Sequence, residues 1–207
     1  MSGPGDRLDR RFFARPSTVV ARELLGRVLV RNGPRGARIA ARIVETEAYE
    51  QTDPASHSYG GRTPRTDVMF GPAGHLYVYF TYGMHFCMNV VTAREGQGSA
   101  VLLRAAEPLE GLGSMKRRRG TTDPRLLCAG PARLCRAFGI DRRSNGADLV
   151  EGEAMWIERG RRVPDERVMI GPRVGVSSAT ERPWRFSVLG DPFVSRGRPV
   201  TAERLRD

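Results

Sequence analysis

A short acidic and aromatic segment is the clearest place in this chain for proton-transfer chemistry. Residues 44–49 read VETEAY, and the side chains of a strand alternate between its two faces. Glu45, Glu47 and Tyr49 therefore share one face. A carboxylate beside an aromatic ring can activate a water next to a stacked, flat ligand. The alternative is a solvent-exposed polar face on an ordinary strand, and the segment taken alone favours that alternative.

An aromatic stretch further along the chain predicts a β-hairpin. Residues 76–91 read LYVYFTYGMHFCMNVV, with two β-prone runs on either side of Gly83, and such runs around a turn residue are typical of hairpins. Most of these aromatic side chains can simply fill a core. Tyr82 differs because it sits beside the expected turn, where a large ring is poorly placed for burial. A ring at a hairpin tip is well placed to wedge between stacked bases.

Histidine and cysteine are sparse. His57 lies in a polar loop predicted over residues 53–66, where a histidine usually satisfies nearby backbone groups. His57, His75 and His85 are not at metal-ligand spacing. The three cysteines, at positions 87, 128 and 135, include no close pair. We therefore expect no metal site, no disulfide framework and no cofactor.

The charge balance is strongly basic. With 34 basic against 23 acidic residues the formal net charge is +11, which indicates a polyanionic partner, nucleic acid first. Lys116 is the only lysine, so the preference for arginine can reflect genome composition, but the net excess remains. No apolar run approaches a membrane span, and residues 1–11 lack the apolar core of a signal peptide. We expect an intracellular protein, with residues 1–11 as a disordered lead-in.

The elements that must position these residues mix helices and strands without regular alternation. Helices are predicted over residues 16–26, from Pro108, and from Gly130-Pro131 to a stop at Gly139. Strands are predicted at residues 27–31, 39–49, 100–104, 155–157, 173–176 and 185–188. A turn is expected at Gly33-Pro34 with Gly36, and a basic loop over Lys116 to Thr122. The mixture predicts an α+β fold, and no linker divides residues 12–207, which we expect to form a single domain.

Taken together, these segments resemble the alkyladenine (3-methyladenine or methylpurine) DNA glycosylase family. The matching segments follow one another in order and with compatible spacing between Phe12 and Ser195. They are RIVETEAY (42–49), LYVY (76–79), YGM (82–84), FCMN (86–89), VLLRA (101–105), EPLEG (107–111), GP (130–131), LC (134–135), RVGV (173–176) and RF (185–186). Any one segment is weak, but the ordered set is highly specific.

The resemblance implies a fold and a catalytic group. The fold is a single α+β domain with a curved, mainly antiparallel sheet flanked by helices, with a protruding hairpin that inserts into DNA and no metal. Glu47 matches the residue that positions and deprotonates the attacking water. Arg104 matches a residue that helps to place that water and the phosphate of the flipped nucleotide.

The resemblance also implies a pocket for an extruded base. Tyr49, His57 and Tyr79 match the walls that sandwich the base, and Asn89 matches the residue that crowds the 2-position of a purine. Tyr82 matches the ring that fills the gap left in the duplex.

By the same resemblance, Met84 lies beside Tyr82 on the DNA face. A two-residue turn at Tyr82-Gly83 would put Tyr79 and Asn89 on opposite faces of the hairpin. Because the resemblance puts both in one pocket, we predict an odd-length turn or a bulge, which would place Tyr77, Tyr79, Cys87 and Asn89 on one face.

The implied activity is monofunctional hydrolysis of the N-glycosidic bond of alkylated or deaminated purines in duplex DNA, which leaves an abasic site. The substrate class is 3-methyladenine, 7-methylguanine, hypoxanthine and ethenoadenine. A cationic alkylpurine leaves readily, whereas neutral hypoxanthine needs an acid that the sequence does not identify. No lysine lies in the motifs to form a Schiff base, so lyase activity is not expected. We expect a monomer that acts on double-stranded DNA, in the cytoplasm and associated with the nucleoid, with no membrane contact.

Two other classes of function remain open from the residues alone. A non-catalytic nucleic-acid-binding module could use the same basic surface and aromatic hairpin, but it would have no need for Glu47. A related enzyme could act on RNA or on free nucleosides. Tyr82 speaks against nucleosides, since a wedge matters only where a duplex must be held open.

Overall fold

The structure, a computed structural model, describes residues 7–33 and 36–196 of the 207-residue chain. The helices in this part are α1 (Arg10–Phe13), α2 (Ser17–Glu23), α3 (Leu112–Arg119) and α4 (Pro131–Phe138). The strands are β1 (Val28–Asn32), β2 (Arg38–Tyr49), β3 (Leu76–Thr81), β4 (His85–Val91), β5 (Ala100–Glu110), β6 (Met155–Glu158), β7 (Val168–Gly171) and β8 (Arg185–Val188). One α+β domain results, as predicted.

The described strands form one curled sheet in which every pair is antiparallel, with the order β3-β4-β5-β2-β1-β6 and with β8 between β2 and β7. The long strand β2 is its centre. One edge of β2 pairs with β5 over residues 40–49. The other edge pairs first with β1 over residues 38–42 and then with β8 over residues 45–47. Register shifts around Glu45 bend β2 at the point where its partner changes, and the predicted curved, mainly antiparallel sheet is confirmed.

Helices cover the core side of the sheet. Helix α2 buries Val20 and Ala21 against β2. Helix α4 begins at Pro131 and ends before Gly139, whose left-handed φ of 68° suits a glycine. The inward residues of α4 join the side chains of the neighbouring strands in one core cluster: Leu134, Cys135, Phe138, Val78, Met88 and Val90. The opposite face of β3 and β4 is therefore left to form something other than the main core.

The turn of the hairpin has three residues. Thr81 pairs with His85, which leaves Tyr82, Gly83 and Met84 in the loop, and Tyr82 and Gly83 both have positive φ values, 51° and 65°. The predicted odd-length turn is confirmed. Strand β4 pairs with β5 only over residues 89–91, so the outer half of the hairpin extends beyond the sheet.

The helix predicted from Pro108 is wrong. Pro108 lies within β5, opposite Ala41 and beside a register shift, where a proline that cannot donate a ladder hydrogen bond is tolerated. The basic loop predicted over Lys116 to Thr122 is also wrong in its first half, because residues 116–119 form the last turn of α3. Positive side chains are favourable at a helix C-terminus, and Gly120 then ends the helix.

Two other expectations differ from the structure. Residues 173–176 are irregular rather than a strand, and β7 lies just before them. Residues 1–6 of the expected lead-in lie outside the described residues, but Leu8 is buried and α1 begins at Arg10, so the chain is packed from residue 7. Pro34 of the predicted turn and the C-terminal end of the domain predicted over residues 12–207 also lie outside the described residues.

Within the described residues, no helix is long and apolar enough to cross a membrane. No group of three or more histidine, cysteine or acidic side chains in residues 7–33 and 36–196 is arranged to hold a metal ion. The three cysteines are buried free thiols.

Candidate active site

A pocket of about 330 Å³ opens beside the hairpin. Its walls come from the end of β2, one face of β3 and β4, and two irregular segments at residues 54–57 and 175–178. Five of the predicted site residues line it: Tyr49, His57, Tyr79, Tyr82 and Asn89. A larger cavity of about 940 Å³ lies at the other end of β4, but none of the predicted site residues lines it.

Glu47 lies beside this pocket with its carboxylate completely buried. Oε2 accepts a hydrogen bond of 2.9 Å from the hydroxyl of Tyr49. Oε1 accepts one of 2.8 Å from the backbone N–H of Val174 and lies 3.2 Å from Nη1 of Arg104. A carboxylate has about four acceptor sites, so these three donors leave room for one more, such as a water. The three donors fix the carboxylate in place beside the pocket, as a general base would require.

Arg104 lies between two buried carboxylates. Its position on β5, next to β2, brings Nε to 3.2 Å from Oε1 of Glu45 and Nη1 to 3.2 Å from Oε1 of Glu47. Burial alone would lower the pKa of the Arg104 guanidinium, but Glu47 and Glu45 more than offset this, and its pKa is raised. Glu45 is also held by the Nε of Arg185 at 2.6 Å and by the N–H of Ser195 at 2.9 Å. The cation is thus fixed behind Glu47.

Tyr49 connects the carboxylate to the pocket. Its hydroxyl is bound to Glu47, while its ring lines the pocket. Burial and the nearby Glu47 carboxylate raise the pKa of the Tyr49 phenol, so it stays a hydrogen-bond donor. The guanidinium of Arg173 lies 4.7 Å from the centroid of the Tyr49 ring, and Trp184 lies on Arg173 at 5.3 Å.

A cluster of rings lines the pocket together with Tyr49. The ring of His57 meets that of Tyr79 edge to face, with centroids 4.5 Å apart, and Tyr79 stacks on Tyr77 at 5.7 Å. Nδ1 of His57 lies 3.1 Å from the Tyr77 hydroxyl. Burial, and then the charge of Arg65, lower the pKa of His57, so the imidazole is neutral near pH 7. His57 was weakly supported by the sequence alone, because a loop histidine usually satisfies nearby backbone groups.

Asn89 belongs to the same face of the hairpin. Its backbone pairs with Tyr77, and Tyr79 pairs with Cys87. Paired residues of an antiparallel ladder point to the same side, so the predicted shared face of these four residues is confirmed. Nδ2 of Asn89 donates a 3.3 Å hydrogen bond to the carbonyl of Tyr77, while its side chain still lines the pocket.

The hairpin tip is the most exposed apolar part of the described chain. Tyr82 is 80% exposed and Met84 71% exposed. Tyr82 stands at the pocket mouth, whereas Met84 does not line the pocket. Two large apolar side chains in water at a loop tip are unusual for a structural role.

Sequence reasoning missed the residues that support the site from behind. Arg173 and Asp53 form a fully buried ion pair, although residues 173–176 had been assigned to a strand and Asp53 to the start of a loop. The sequence placed Glu45 on the same face as Glu47 and Tyr49 but identified no ion-pair partner for its carboxylate. An arginine followed directly by apolar residues and glycine, as in RVGV, is the only local signal for such a buried cation.

Comparisons with known proteins agree on one family. A family model described as Methylpurine-DNA glycosylase (MPG) matches residues 11–192. Three curated relatives, each named as a 3-methyladenine DNA glycosylase, illustrate the similarity. The protein of Streptomyces avermitilis is 50% identical over 204 residues, with 96% of this chain and 95% of the relative covered. That of Rhodopseudomonas palustris strain BisB5 is 50% identical over 192 residues, covering 93% and 91%. That of Carboxydothermus hydrogenoformans is 46% identical over 189 residues, covering 91% and 98%.

Proposed function

Because the chain belongs to the methylpurine-DNA glycosylase family, we propose that its pocket receives a purine turned out of duplex DNA and that Glu47 activates the water that cleaves the N-glycosidic bond. The chain is a monofunctional DNA glycosylase, an enzyme of base excision repair. The roles of individual residues, base flipping and the damaged bases accepted are our proposal.

The observation that carries the proposal is the position of Glu47. Its carboxylate is fully buried, lies 3.2 Å from the guanidinium of Arg104, and touches a pocket wall through Tyr49. The glycosidic bond breaks through an oxocarbenium-like state at the sugar. Glu47 takes a proton from the water as the water oxygen bonds to the sugar carbon, and the bonding electrons of the broken bond leave with the base. The negative carboxylate also stabilises the positive charge that develops on the sugar.

The pocket suits a flat and positively charged base. Tyr49 on one side and Tyr79 with His57 on the other supply ring faces and edges for stacking. Aromatic faces attract cations, which favours 3-methyladenine and 7-methylguanine over undamaged purines. A neutral His57, the result of burial and of Arg65 lowering its pKa, adds no repulsion against such a cation.

A base within a duplex is out of reach, so extrusion precedes chemistry. The unstacking costs a few kcal/mol, least for damaged or mispaired bases. Tyr82 at the exposed tip would fill the gap, with Met84 beside it against the DNA, and the net charge of +11 would hold the phosphates. We propose that one monomer acts on each lesion.

The proposed substrates also include neutral hypoxanthine and ethenoadenine. Neither carries an amino group at the 2-position, and Asn89 in the pocket wall would crowd the 2-amino group of guanine. Cationic 7-methylguanine has the same 2-amino group, but its base leaves readily and its charge favours stacking on the rings, which offsets the crowding that excludes neutral guanine. The two other classes of function fit less well. A binding module has no use for a buried carboxylate next to a base-sized pocket, and an enzyme for free nucleosides has no use for an exposed Tyr82.

The test is base release from a panel of duplexes. Each duplex carries one hypoxanthine, ethenoadenine or 7-methylguanine, and abasic sites are revealed by alkaline strand cleavage. We expect release from the damaged duplexes, slower release from the same single strands, and none from undamaged DNA. Methylated DNA assayed for free 3-methyladenine completes the panel. Equal release from single strands and duplexes would contradict the flipping mechanism, and release from ribonucleosides would move the protein to the rival enzyme class.

A further inference from the structure

Two walls of the pocket are irregular segments. One is residues 53–58, which contain the lining residues 54–57, and the other is residues 172–179, which contain the lining residues 175–178. In the described residues, no backbone hydrogen bond joins the two. Side-chain contacts are therefore the direct connections between the two walls.

The buried pair Arg173 and Asp53 makes that connection. Nη2 of Arg173 donates to Oδ1 of Asp53 at 3.0 Å, and Nη1 donates to Oδ2 in the second half of a bidentate contact. The same carboxylate accepts the N–H of Ala55 at 3.2 Å within its own wall. The same guanidinium donates to the carbonyl of Ala179 at 3.4 Å within the other wall, and to that of Ala48 on β2 at 3.1 Å. The bidentate pair of Arg173 and Asp53 thus joins both walls to β2, the strand that carries Glu47.

The pair also touches the two groups nearest the chemistry. The guanidinium lies on the Tyr49 ring at 4.7 Å. The next residue, Val174, donates its N–H to Oε1 of Glu47 at 2.8 Å. A shift of Arg173 would therefore move both the stacking surface and a hydrogen-bond donor of the general base.

We propose that Arg173 and Asp53 form a positioning unit that fixes the width of the base slot and the orientation of Glu47 and Tyr49. This rests on the proposed function of Glu47 and Tyr49. The pair acts through those residues and touches neither the base nor the water. The alternative is a buried ion pair that only stabilises the fold, and breaking such a pair is strongly destabilising in many proteins. The two roles make different kinetic predictions.

The main test compares Arg173→Lys with Arg38→Lys in single-turnover excision of hypoxanthine from a duplex. Lysine keeps the charge but cannot form the bidentate fork. Arg38 makes an equivalent fork to Glu158, with distances of 3.0 and 2.8 Å, at the far end of β2. For Arg173→Lys we expect the rate at saturating enzyme to fall about 10- to 100-fold, and the half-saturating enzyme concentration to change by less than about threefold. Arg38→Lys should change neither.

A double-variant cycle tests whether the two residues act as one unit. Asp53→Asn should lower the saturating rate in the same way, and the double variant should be no slower than the slower single variant, because residues of one unit are not additive. Additive losses would overturn the proposal. So would a lower unfolding temperature with an unchanged saturating rate, which is the result for a purely structural pair.

Two further variants separate a folding failure and a failure of the proposed function from a failure of the positioning role. If Arg173→Lys fails to fold, as judged by circular dichroism, Asp53→Glu replaces it, since glutamate keeps the charge and displaces one wall by a methylene. A saturating rate equal to that of the parent in Asp53→Glu would overturn the positioning role. Glu47→Gln runs in the same assay. Activity retained in Glu47→Gln contradicts the proposed function itself, whereas loss in Glu47→Gln with full activity in Arg173→Lys contradicts only the positioning unit.

Discussion

The hydroxyl of Tyr49 donates a 2.9 Å hydrogen bond to Glu47, two residues earlier on the same face of β2. This places the ring that lines the pocket and the buried carboxylate in direct contact. A base stacked on Tyr49 would therefore bring its glycosidic bond near the carboxylate, and a water bound at the remaining acceptor site of Glu47 could attack. If Glu47 and Tyr49 act as proposed, the contact joins substrate binding to catalysis within one short strand segment.

Replacement of Glu47 by Gln should abolish base release while preserving the fold and DNA affinity. Gln has the same size but cannot take a proton, and general bases contribute about 100- to 10,000-fold to rates. Arg104 keeps its second partner, Glu45, so no buried charge is left unpaired. The measurement is the single-turnover rate on the best substrate, with affinity from fluorescence anisotropy.

Glu45→Gln is the matched control, because it removes an equally buried carboxylate bound to the same arginine. Glu45 has no contact with Tyr49, so the loss should be smaller. A normal single-turnover rate in Glu47→Gln would rule out Glu47 as the general base.

Replacement of Tyr82 by Ala should shorten the lifetime of the flipped base without damaging the pocket. The ring is 80% exposed, so its removal costs little stability, but nothing then fills the gap in the base stack. A fluorescent base opposite the lesion reports flipping in stopped flow. Tyr59→Ala removes another exposed ring, at 58% exposure, and should behave as the parent. Identical flipping in Tyr82→Ala would show that the tip does not act as a wedge.

Asn89→Ser should admit guanine while leaving hypoxanthine excision largely intact. A flat aromatic slot stacks all purines about equally, so exclusion of guanine needs a clash or an unpaired polar group. Serine is shorter and gives up the space beside the 2-position. The assay is release of guanine from G·T mismatches by variant and parent. If a folded, active variant excludes guanine as well as the parent does, the amide serves only its 3.3 Å hydrogen bond to Tyr77.

Removal of Arg65 should raise the pKa of His57. Burial is the main cause of the lowered value and Arg65 the second, so Arg65→Gln should move the titration of His57 upward, towards its ordinary value of 6.5. NMR titration of the imidazole C–H signals measures this. Because a protonated imidazole repels a cationic base, excision of 7-methylguanine should fall as the pH drops through the His57 pKa. That fall should begin at higher pH in Arg65→Gln, and an unchanged titration would exclude Arg65 as a cause.

The hairpin was predictable in detail because the alternation of side chains along a strand is local and the family resemblance puts Tyr79 and Asn89 in one pocket. Together these required an odd turn, and the pairing of Tyr77 with Asn89 agrees. Strand β2 and helix α4 were also predicted closely, since apolar periodicity and terminal glycine or proline residues are encoded within each element.

Elements that depend on distant partners were not predictable in the same way. Pro108 suggests a helix start locally, but pairing with β2 keeps it in β5. Arg173 looks like part of a strand, yet its position is decided by Asp53, 120 residues away in sequence. The ring cluster and Glu47 could be assigned through family resemblance, whereas the supporting ion pair depends on two loops whose meeting no local pattern encodes.

The limited pairing between β4 and β5 gives the hairpin two mechanical regimes. Over residues 89–91 the strand is bonded on both sides, so Asn89 and the pocket wall are held by the whole sheet. From Met88 outward, β3 is the only partner of β4 among the described strands, and this part should open more readily in local fluctuations. The hairpin should therefore be stiff at its root and flexible at its tip. In the proposed complex, such a hairpin would let Tyr82 follow the varying shape of a DNA groove while the pocket at its root keeps constant dimensions.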